Sequence, residues 1–70
     1  MTVKTASDIK QHLDLLQHER VLALETALRD DPRYMADLDE EIVATNHAFV
    51  GSAVIEIARL RADLAGSLQG

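Results

Sequence analysis

The chain has no cysteine and no tryptophan, and among its 70 residues there is one proline, one phenylalanine, one tyrosine and three glycines. Without cysteine there is neither a disulfide framework nor a thiolate zinc site, and the absence fits a reducing cytosol. With Phe49 and Tyr34 as the only aromatics, any core must be built from aliphatic side chains. A chain of this size sits where a lone hydrophobic core is marginal. Lacking both staples and aromatics, it is expected to gain stability by association. The glycines are isolated, so no glycine-rich phosphate loop is present.

Long apolar runs are missing as well. Ile42–Ala58 is fairly apolar, but Asn46, His47 and Glu56 interrupt it, and a spanning helix needs about 20 mostly uncharged residues. Met1–Thr5 carries one lysine and no following apolar segment of signal-peptide length. The expectation is a cytoplasmic protein with no membrane partner.

Positive charge is in deficit: seven Lys and Arg against twelve Asp and Glu, a net charge of −5. The excess is local. Acids and bases balance over Met1–Arg29 and again over Ile42–Gly70, whereas Asp30, Asp31, Asp37, Asp39, Glu40 and Glu41 face only Arg33 between them. Such a segment repels phosphate backbones, and no basic stripe lies elsewhere, so no nucleic-acid partner is expected.

What the chain does have is leucine, alanine and good helix formers in periodic order. Thr5 with Asp8 three residues on resembles a capping box, with Asp in place of Glu. A first helix over about 8–29 carries Ile9, Leu13, Leu16, Ala23, Leu24 and Ala27 on one stripe, widened by Val21 and Leu28. Asp31 is a good N-cap, and Pro32 suits a first helical position while barring helical geometry at Asp31. A second helix over about 32–68 carries Ile42, Asn46, Phe49, Ala53, Ile57, Leu60, Leu64 and Leu68 on its main stripe. Opposite runs a stripe of smaller residues: Ala44, Ala48, Gly51, Ile55 and Ala58. Small residues at this spacing permit close helix approach, a reason for a mid-helix glycine that otherwise costs about 1 kcal/mol. The helix is expected to stop near Gly66 or Gly70.

The fold expected is therefore all-α: one antiparallel helical hairpin domain over residues 1–70, with residues 1–6 as a flexible tail. Its arms are unequal. At about 1.5 Å per residue the helices span roughly 33 and 55 Å, and pairing outward from the turn sets residue i beside residue 61 − i. Ile57, Leu60, Leu64 and Leu68 then lack a partner within the chain. A homo-oligomer is expected to cover them, a dimer first and a tetramer as a larger form. In the dimer the second helix crosses its own copy antiparallel near Gly51 and four helices form a bundle. The expected interface is Ala44, His47, Ala48, Gly51, Ile55 and Ala58 together with Ile57, Leu60 and Leu64. The alternative is a chain that bends over Asn46–Ser52 into three shorter helices.

Several polar residues fall on apolar faces. Arg20 lies in the first stripe and is expected to meet Asp39, or Glu40 or Glu41, as a pair that sets register. Asn46 in the second stripe is expected to set register or oligomer size. His12 and Glu19 share one edge, as do Glu40 and His47, but no Glu-x-x-His spacing accompanies them. The expectation is no metal, no cofactor and no catalytic residue. A metal-dependent site, for metal binding or helical nucleotide-hydrolase-like chemistry, built from bundle carboxylates and histidines at the oligomer interface, is the alternative. His47, if it lines the helix contact, makes assembly sensitive to pH near its ordinary pKa of about 6.5. Leu15 and Leu22 lie off the first stripe and form the candidate ridge for docking a protein partner. The function these features suggest is a non-enzymatic, self-associating helical module for protein–protein interaction, assembly or regulation.

Overall fold

The computed structural model describes residues 5–69, with side chains to Gly66. It is a helical hairpin: α1 spans Ala6–Leu24, a single 3-10 turn spans Ala27–Asp30, and α2 spans Pro32–Gln69. No strand occurs among the described residues.

The capping chemistry sets the boundaries. Thr5 is extended, its hydroxyl accepts from the Asp8 N–H at 3.2 Å, and its own N–H donates to the Asp8 carboxylate at 3.3 Å. This is the reciprocal capping box, so Thr5 and Ala6, expected in the tail, form the cap and first residue of α1. Residues 1–4 of that expected tail lie outside the described residues. Asp31 is extended before Pro32 and its side chain accepts from the Tyr34 N–H at 3.0 Å, which starts α2 where the sequence put it.

The first helix ends earlier than expected, at Leu24 rather than near Arg29. Thr26 is the cause. Its hydroxyl donates to the Ala23 carbonyl at 3.0 Å and accepts from the Leu28 N–H at 3.2 Å, so it terminates one helix and caps the 3-10 turn. A threonine side chain offers the backbone just this local alternative to helical bonding. Ala27 and Leu28 consequently leave the α1 stripe, and Leu24 and Val21 are exposed.

The seam between the helices is thin. Ala6, Leu13, Leu16 and Ala23 of α1 and Leu38 of α2 are buried, and Ile9, Met35, Ile42, Thr45, Phe49 and Ala53 are half-buried around them. On α2 the seam steps through Leu38, Ile42, Thr45, Phe49 and Ser52 at intervals of three and four. Asn46 lies about 100° round from Thr45 and is exposed, which corrects its expected place in the seam. α2 continues through Gly51 and through Gly66, so the chain does not bend into three helices.

The hairpin is long and narrow, 61 × 22 × 15 Å with a radius of gyration of 17.3 Å. A compact domain of this length has a radius of about 11 Å. The 38 residues of α2 against the 19 of α1 account for the difference.

Leu16→Ala is expected to destabilise the hairpin by roughly 2–5 kcal/mol, as cavity-forming substitutions do, whereas Leu15→Ala should change stability by less than about 0.5 kcal/mol. Urea unfolding followed by circular dichroism measures both.

Candidate interaction surface

Polar contacts clamp the two edges of the seam. On one edge Arg20 Nε donates to Asp39 Oδ1 at 2.6 Å, the contact expected from the sequence, and Asp39 holds the guanidinium pKa above its ordinary value by hydrogen bond and by charge. On the other edge the Tyr34 hydroxyl donates to Glu19 Oε2 at 2.5 Å, and His12 Nε2 lies 3.5 Å from Glu41 Oε1. Tyr34 and Glu41 stand seven apart on α2, as do His12 and Glu19 on α1, so the two contacts share one line along the hairpin. All three contacts are solvent-exposed, so they align the helices more than they stabilise them.

At the far end, Glu56 Oε1 accepts from the Ala6 N–H at 2.9 Å. A carboxylate fifty residues away thus satisfies one of the free donors of the α1 N-terminus, where negative charge is favoured. Ala6 and Glu56 are within one residue of the pairing that sets i beside 61 − i. Sequence reasoning missed this contact, although that arithmetic and the acidic preference of a helix start were enough to suggest it.

Beyond Glu56, α2 runs thirteen residues further, Ile57–Gln69, about 20 Å past the start of α1, and no other helix among the described residues lies alongside it. Ile57, Leu60 and Leu64 are 50–58% exposed there; the Leu68 side chain lies outside those described. The other expected interface residues, Ala44, His47, Ala48, Gly51, Ile55 and Ala58, are all exposed on α2. A Cβ added at Gly51 would meet nothing within 4 Å, so nothing inside the hairpin requires glycine at that position. Leu15 and Leu22 are exposed on α1, Leu22 beside a dimple lined by Glu19, Ala23, Thr26, Leu28 and Tyr34.

Three valines, Val43, Val50 and Val54, were missed from sequence, and they align with Ile57 and Leu64 of the expected interface. Val43, Val50, Ile57 and Leu64 stand seven residues apart with Val54 between them, all 50–60% exposed. They lie about 120° from the seam at 100° per residue. The reading followed the stripe nearest the hairpin partner and the small-residue stripe opposite, and these valines fall between the two.

Among the described residues no three His, Asp or Glu converge as metal ligands. The groove between Ile9, His12, Ala44, Thr45 and Ala48 is open and holds about 270 Å³, less than the roughly 300–1,000 Å³ of a small-molecule pocket. No helix among the described residues is long and apolar enough to cross a membrane. Comparison with protein families, with characterised proteins and with solved structures finds no match to this chain.

The hydrogen bond to Glu19, with desolvation and the carboxylate's charge added, raises the Tyr34 pKa above its ordinary 10.0. The neutral phenol is therefore the form that supports the fold. Its contribution is complete below the unfolded pKa near 10 and disappears as pH rises through the higher folded value. As the only tyrosine, Tyr34 should show an ultraviolet phenolate titration midpoint above that of the urea-unfolded chain, and Glu19→Gln should bring it down. Glu56→Ala should cost roughly 0.5–2 kcal/mol in urea unfolding, as lost helix caps do, and Glu56→Gln less, because the amide oxygen still accepts.

Proposed function

We propose that this chain is a small self-associating helical module that acts through its helix surfaces rather than by catalysis. The exposed aliphatic side chains at the end of α2 carry the reading. Ile57, Leu60 and Leu64 stand in water on a rigid projection, although covering each would contribute about 1.5–3 kcal/mol. The exposed surface points the same way: the chain presents 5672 Å², against about 4,300 Å² for a compact monomer of 7.7 kDa. The surplus, on the order of 1,300 Å², exceeds the roughly 800 Å² that each partner contributes to a standard interface.

A homodimer in which the two copies of α2 run side by side is the simplest closure, with both hairpins forming one four-helix assembly. Such a module brings together whatever each copy carries, and the Leu15–Leu22 ridge on α1 remains open for a further protein. The acidic turn segment Asp30–Glu41 favours a basic partner, whose association weakens as salt rises. A cytoplasmic setting is consistent with this role.

Native mass spectrometry and light scattering at micromolar concentration test the proposal. The expected particle has twice the chain mass of 7.7 kDa, and Leu60→Ser with Leu64→Ser shifts it to monomer while helicity persists. A stable monomer for the unsubstituted chain overturns it.

A further inference from the structure

The geometry points to a specific partner and register for the exposed valine stripe: a second copy of this chain, packed antiparallel along α2 with residue i level with residue 104 − i of the partner subunit. This inference rests on the self-association proposed above and adds the face and the register, with charge now arguing for the antiparallel direction.

The face follows from apolar area. Val43, Val50, Val54, Ile57 and Leu64 form a line of large exposed side chains through both the hairpin-paired part of α2 and its projecting part. The small-residue stripe offers only Ile55 among the large exposed apolar residues, and Gly51 there meets open space. The line is also heptad-spaced. With Val43, Val50, Ile57 and Leu64 at d positions, Glu40, His47, Val54 and Arg61 occupy the a positions.

The direction follows from charge. A parallel pair would lay one acidic Asp30–Glu41 segment against the other, each with a net charge of −5, and would set Arg61 beside its own copy. An antiparallel pair separates the two acidic segments to opposite ends of the dimer.

The register follows from both. In antiparallel packing an a residue of one helix is level with a d residue of the other, and successive a residues of the two chains alternate along one side. Registers seven residues apart satisfy this. With 97 − i or less, Leu64 is level with Arg33 of the partner subunit or lies beyond the start of its α2, and with 118 − i or more the overlap shrinks to at most residues 49–69. That leaves two to compare, with i level with 104 − i or with 111 − i. In the second, Arg61 falls among His47, Val50 and Val54 of the other copy, away from any acid. In the first, Arg61 falls about 4.5 Å along the axis from Glu40 of the other copy, on the same side of the seam. Val50 is then level with Val54, and His47 with Ile57. The first register also overlaps residues 35–69 of the two α2 helices, against 42–69 in the second. Glu40 and Arg61 are exposed and take part in none of the ion pairs formed among the described residues, so both are free to pair between copies.

Charge reversal in the full chain reads the register. Glu40→Arg and Arg61→Glu each set like charges together at both ends of the dimer and should raise the dissociation constant roughly tenfold in sedimentation equilibrium. Mixed in equal amounts, the two variants make opposite-charge contacts at both ends, so a heterodimer of near-native affinity should form. Circular dichroism confirms that both remain helical. Gly51→Ala should leave the affinity unchanged. If the unsubstituted chain dimerises but single reversals do not weaken it, or mixing does not rescue them, the register is wrong and self-association stands. If Gly51→Ala weakens the dimer, the small-residue face is the interface and the valine face is not. If the unsubstituted chain stays monomeric at tens of micromolar, self-association itself fails, and this inference with it.

Discussion

A helix of 38 residues cannot be covered by one of 19. The inequality governs every other property of this hairpin. It limits the intrachain seam to the part of α2 from Pro32 to Glu56 and leaves five buried side chains among the described residues to hold that seam. It also leaves a stiff apolar projection. The chain could have avoided the problem by bending, but nothing between Pro32 and Gln69 breaks the helix. Gly51 and Gly66, the weak points, are carried through, and no proline follows Pro32 to break the helix.

The seam itself is aligned by its edges. Leu13, Leu16 and Leu38 supply burial without direction, since leucines slide past one another at little cost in specificity. Direction comes from Arg20 with Asp39 on one side, and from Glu19 with Tyr34 and His12 with Glu41 on the other. Three contacts between complementary groups disfavour a one-turn slip, because a slip would bring Arg20 to other partners and strand the phenol. Their exposure keeps each weak, so the alignment is cooperative rather than vested in a single pair.

The sequence makes the large features plain where local chemistry and periodicity agree. Thr5 with Asp8, and Asp31 with Pro32, mark helix starts because capping depends on two or three neighbouring residues. The helix count and the inequality of the arms follow from apolar spacing alone. The end of α1 was obscured because Thr26 is compatible with a helix and terminates it only through a hydroxyl bonded both ways. Asn46 was misplaced because one residue of phase, about 100°, separates it from Thr45, and an apolar stripe drawn by eye tolerates that error. The Glu56 contact depends on residues fifty apart, which periodicity does not join. Val43, Val50 and Val54 were hidden for a different reason: they lie about 120° from the seam and stay exposed, so the pairing of the two arms does not single them out.

The carboxylate that holds the start of α1 sits one residue before the projection begins. A hairpin zips from its turn outward, so the Ala6–Glu56 contact is the last to close and the first to fray. Opening there adds another turn or two of bare α2 to the part already projecting, beginning with the residues beside Ser52 and Ala53. Whatever grips the projection therefore competes with, or reinforces, the closure of the hairpin's far end, and the two events share one stretch of backbone.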